Sequence, residues 1–179
     1  MSDPTPPKKL PVTKLDAARR QLETAITLWF DDLDPVSIHT LASAANQILS
    51  DVNKAAGGKP LLFDTPNPSI KPQHQKEFRR LLREVANFFK HAESDSTGTL
   101  FFSPNRNKVS LIQGCQNYRE LAQEKRPLME LFTFYLAVHE PQLFVWPLPR
   151  EAPGVEYLRS LSKRAFFTEM LPVVSRIAT

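Results

Sequence analysis

Apolar residues recur every three or four positions along successive stretches of this chain, and most of its 16 prolines stand between those stretches or in the N-terminal tail. A 3.6-residue period puts such residues on one face of a helix, and a proline between two periods stops one helix before the next begins. Only five glycines are present, too few for the turns of a many-stranded β fold. The expected fold class is therefore all-α, a single-domain bundle of five to six helices with a long Pro-rich connection. A length of 179 residues suits one domain around one core. That domain would span 13–179, and 1–12, with four prolines and two lysines, reads as a disordered tail.

Local signals delimit the helices. Thr13 with Asp16 three residues on resembles a capping box, so the first helix should run from Lys14 to about Asp31 on a stripe of Leu15, Ala18, Leu22, Ala25, Ile26 and Trp29. Asp34 before Pro35 is a second start signal. The helix after it, carrying Ile38, Leu41, Ala42, Ala45, Ile48, Leu49 and Val52, should end at Gly57-Gly58. Lys59 to Pro72 holds four prolines and forms the irregular connection. A third helix should span about Gln73 to Ala92, followed by a loop in which Thr99-Leu100-Phe101-Phe102 reads as a short extended piece. A fourth should run from Lys108 to about Glu124. The fifth opens at Pro127 and is apolar on nearly all sides, which fits a buried helix or an oligomer interface. Leu143-Phe144-Val145-Trp146 is a short apolar piece bounded by prolines. A sixth helix should run from Val155 to about Arg176, with Pro172 kinking or shortening it.

Several chemistries are excluded. One cysteine, Cys115, rules out an intrachain disulfide and a cysteine zinc cluster, and its spacing fits a core position. The four histidines show no helical pair spacing for a metal, so no metal or cofactor is expected. Gly58-Lys59 is not a phosphate loop, because Asn53 and Pro60 replace the glycine and hydroxyl residue it needs. Asp31-Asp32-Leu33-Asp34 lacks the glycine and distal glutamate of a calcium loop. No Gly-x-Ser-x-Gly elbow occurs. No charged-then-apolar leader opens the chain, and its longest apolar run, about Leu131 to Val138, is far shorter than the roughly 20 residues of a membrane span. A cytoplasmic protein without membrane contact is the expectation.

The stretch from Phe78 to His91 carries the functional signal. Phe78, Leu81, Leu82, Val85, Phe88, Phe89 and Ala92 fall within an arc of roughly 120° on a helix. Arg80, Glu84, Asn87 and His91 form a polar row on its shoulder. Six basic residues (Lys71, Lys76, Arg79, Arg80, Arg83, Lys90) face two acidic ones (Glu77, Glu84), an excess equal to the net charge of +4. Arg79, Arg80, Arg83 and Lys90 are candidate RNA contacts, because a local positive field attracts a polyanion. A solvated face laced with pairs such as Arg80–Glu84 is the plainer alternative. His91, with Asn87, Arg83 and Arg80, is a candidate catalytic set: a histidine base could activate a 2′-hydroxyl while arginine holds phosphate. Against this, a histidine in a last helical turn already suits the helix dipole.

The helix order and this polar motif resemble the HEPN superfamily of small α-helical bundles, over about Thr13 to Val138. Many of its members are metal-independent ribonucleases of toxin–antitoxin and antiviral systems. Their motif is Arg, often followed by Asn, then four to six residues to a His. Here Asn87 and His91 match, Ala86 stands at the arginine position, and Arg83 lies outside the usual window. The resemblance implies a non-catalytic or altered member acting through RNA or protein contact. The alternatives it leaves are an active ribonuclease using His91, in which a homodimer with facing motif helices could let Arg79, Arg80 or Arg83 substitute across the interface, and a purely structural helical dimer.

Overall fold

The computed structural model describes residues 9–61, 71–91, 95–144 and 154–178, with the side chains of 78–79 and 81–82 left undescribed. Seven α-helices occupy these residues: α1 (Lys14–Phe30), α2 (Pro35–Ala55), α3 (Gln75–Phe88), α4 (Arg106–Ala122), α5 (Pro127–His139), α6 (Val155–Ser160) and α7 (Lys163–Ile177). Two short 3₁₀ turns, Pro72–His74 and Pro141–Leu143, precede α3 and follow α5. The all-α class is as the periodicity requires, and no strand occurs among the described residues. Thr99–Phe102 lies in the loop before α4, outside any helix or strand. The expected disorder of 1–12 falls mostly on residues outside the described set, as do 62–70 of the connection and Val145-Trp146.

The first two helices begin where their caps dictate. Thr13 Oγ1 accepts from the Asp16 N–H at 3.1 Å, and Asp16 returns a bond to the Thr13 backbone N–H, closing the capping box. The Asp34 carboxylate accepts from the N–H groups of Val36 and Ser37, with Pro35 in the first turn. Gly57 takes φ +70°, which turns the chain out of α2. The buried Asn53 clamps that turn: its carbonyl accepts from Gly58 N–H at 2.9 Å, and its Nδ2 donates to the Lys59 carbonyl at 2.7 Å.

α1, α2, α4, α5 and α7 surround the core, which includes Leu22, Ile26, Phe30, Leu49, Leu111, Leu131, Phe132, Leu136 and Phe166, each fully or almost fully buried. The all-round apolar surface of α5 is used within the chain. α1, α4 and α7 cover it, and Phe132 is 0% exposed, so this residue is no interface residue. Trp29, Phe30, Phe132 and Tyr135 meet edge to face, with centroids 5.0–6.4 Å apart.

The expected single helix over 155–176 is instead two. Leu161 is extended, and the Ser162 side chain accepts from Ala165 N–H to start α7 afresh. The break lets Lys163 and Arg164 pair with Asp32 and Asp31 at the end of α1, with the Lys163 ammonium 4.2 Å from the Trp29 ring centre. α7 then continues through Pro172 to Ile177 rather than stopping there.

Gly114 permits the close approach of α1 and α4. A Cβ there would lie 2.4 Å from Leu22 Cδ2, and Leu22 is 0% exposed. Asn46 ties the same region from α2, donating to the carbonyls of Ala42 and Ser110 at 3.0 and 2.8 Å. Replacing Gly114 by valine should cost about 2 kcal/mol by overpacking, despite removing a helical glycine. Urea denaturation is the check, and an unchanged midpoint would mean that α1 and α4 separate freely.

Candidate functional site

α3 ends earlier than its periodicity suggests, at Phe88 rather than Ala92. His91 therefore stands just past the helix end, still tied to its last turn. It lies three residues beyond the helix, exposed, with its backbone N–H donating to the Asn87 carbonyl at 2.9 Å. Asn87 is exposed as well, so the structure keeps both motif residues on the surface at the end of α3. Ala86, at the motif's arginine position, is half-buried.

The arginines divide into two groups. Arg80 is paired along its own helix, 2.7 Å from Glu77 and 3.6 Å from Glu84. The hydrogen bond from Arg80 holds the Glu77 carboxyl below the usual carboxylate range, and the Glu77 bond raises the Arg80 guanidinium in turn. Its charge is thus largely committed to neighbours. Arg83 and Lys90 are exposed and make no ion pair among the described residues. Lys71 is exposed before the helix and Lys76 in its first turn, and the side chain of Arg79 lies outside the described set.

Phe89, the residue that caps α3, packs on a buried polar node. His39 of α2 is 5% exposed, and its ring lies 5.8 Å from that of Phe89 and 5.2 Å from that of Phe102. The two phenylalanine rings are themselves 5.2 Å apart. Asn107, 1% exposed in the first turn of α4, donates through Nδ2 to the Pro35 carbonyl at 2.9 Å. That bond orients the amide, so its Oδ1 faces His39 Nδ1 at 3.0 Å and must accept. The proton of neutral His39 therefore sits on Nδ1. Nε2 is buried and has no hydrogen-bond partner among the described residues. Burial lowers the proton affinity of His39 below that of an ordinary imidazole; Arg106 and Lys90 push the same way, and the Asn107 bond opposes them.

This node fastens α2, the end of α3 and the start of α4 to one another. The sequence carries a sign of it: His39 stands three residues before Ala42, on the stripe that continues through Ala45 and Leu49. A polar residue on a buried stripe needs a partner, and the partner lies 68 positions away. A second aromatic cluster holds His139, stacked on Tyr135 with ring centres 4.1 Å apart and beside Phe166 at 5.8 Å. Burial and then Arg159 lower its proton affinity. Cys115 is buried and its thiol pushed far up by desolvation, so it is no nucleophile. Among the described residues, no cluster of three or more His, Cys, Asp or Glu side chains could hold a metal ion, and no helix is long and apolar enough to cross a membrane.

Fold and surface together define an α-helical bundle that carries a cationic helix end beside a buried histidine–asparagine node. No family model, curated protein or solved structure matches the chain.

Proposed function

We propose that this protein is a non-catalytic RNA-contacting bundle, HEPN-like in type, that holds phosphates along the exposed side of α3 and the residues after it. The carrying observation is that Arg83 and Lys90 are exposed cations, with Lys71 and Lys76 extending the same positive stretch. Unpaired surface cations release counterions when they meet a polyphosphate. The non-catalytic form is supported by Ala86 at the arginine position and by the exposure of His91 and Asn87, which leaves no water-excluded pocket around the base.

Binding of a labelled 20-nucleotide RNA to the full chain at rising salt tests this reading. We expect affinity to fall steeply with salt. The double change Arg83→Glu with Lys90→Glu should weaken binding about tenfold or more and flatten the salt dependence. An unchanged affinity in the double variant would sink the proposal. The same RNA incubated in EDTA should remain intact with both wild type and His91→Ala. Cleavage abolished by His91→Ala would instead establish the metal-independent ribonuclease.

A further inference from the structure

Phe101 is 99% exposed, although Phe102 beside it is packed into the His39 node. A phenylalanine fully in water gains nothing from burial, yet this one is held in place. On one side Phe102 pins the chain against His39 and Phe89, each 5.2 Å from its ring centre. On the other, Arg106 N–H donates to the Ser103 carbonyl at 3.1 Å and Asn107 N–H to the Pro104 carbonyl at 3.0 Å, leading straight into α4. Two exposed cations flank the segment. Lys90 follows Phe89, whose ring touches Phe102, and Arg106 opens α4.

We propose that Phe101 is a stacking platform for an unpaired base of single-stranded RNA, with Lys90 and Arg106 holding the phosphates on either side of that base. The inference rests on the RNA-contacting reading above and deepens it by naming the form of nucleic acid. A bare aromatic face accepts any base by stacking, and cations beside it accept the backbone. Bases within a duplex are already stacked on each other, so the platform selects single strands. The local charge favours a polyanion over an apolar peptide, and the bare ring favours a polyanion with stackable bases over an acidic peptide.

The test is fluorescence anisotropy with a labelled 12-nucleotide RNA, free or annealed to its complement, against the full-length chain. Phe101→Ala should bind the single strand about tenfold more weakly while leaving duplex affinity within about twofold. Phe101→Trp should keep wild-type affinity, and Phe101→Leu should behave as the alanine variant does. All three should melt as wild type does, since the side chain is exposed. If wild type binds the single strand and Phe101→Ala binds equally well, or loses equally on both forms, the platform is wrong and the α3 reading stands. If wild type binds neither form of RNA, the α3 reading fails first and the platform with it.

Discussion

Phe132→Ala should destabilise the protein by about 3–5 kcal/mol, the characteristic loss when a buried aromatic ring is cut back to a methyl group. Phe132 is 0% exposed and stands at the centre of the aromatic cluster, 5.0 Å from Trp29 and 6.4 Å from Phe30. α1, α5 and α7 converge there, so the cavity cannot close by moving one side chain. Against a total stability of about 5–15 kcal/mol, such a loss is a large fraction. For a chain of this length it lowers the melting temperature by roughly 10 °C or more. Urea denaturation followed by circular dichroism checks it, and a loss under about 1 kcal/mol would mean the core repacks freely. Phe101→Ala is the natural control: the same side chain is removed, but from water, and stability should stay within about 0.5 kcal/mol. The contrast separates the phenylalanines of the core from the one left on the surface.

Such contrasts show which parts of the molecule a sequence reveals. The starts of α1 and α2 were legible because Thr13–Asp16 and Asp34–Pro35 form their caps within three residues. The Arg80–Glu84 pair was legible for the same reason. The end of α3 was not. Its apolar arc continues to Ala92, but Phe89 caps the helix and packs on His39 and Phe102, contacts that local spacing does not encode. The break at Ser162 was also hidden. A serine is tolerated within a helix or caps a new one, and here pairing of Lys163 and Arg164 with the end of α1 favours the second. Of the site, the cations of α3 were legible, as charge is read directly. The placement of His91 past the end of α3 and the bare face of Phe101 depended on where the chain turned, and so did the burial of His39.

Asn107→Ala should cost about 2 kcal/mol, because it leaves the buried His39 Nδ1–H without its acceptor. The His39 Nδ1–H, in a side chain 5% exposed, loses its acceptor, while the part-buried Pro35 carbonyl loses the Asn107 bond but keeps its place in the first turn of α2. Denaturation at pH 7.5 is the check, and a loss under about 1 kcal/mol would show that the bonds are replaced by solvent. The same node should make stability depend on pH. In the unfolded chain His39 takes up a proton as the pH falls through about 6.5. In the folded chain burial delays that uptake, so the unfolded state holds more protons in this range. Stability is therefore complete above about pH 6.5 and declines as the pH drops below it. His139 is shifted in the same direction and adds to the decline. His39→Gln, whose amide can still donate to Asn107, should remove part of the dependence and leave the share due to His139. Equal slopes in wild type and His39→Gln would show that His39 titrates alike in both states. A shallower slope would place the acid sensitivity at the junction that holds the end of α3 against α2 and α4, and with it the position of Lys90 and of the Phe101 segment.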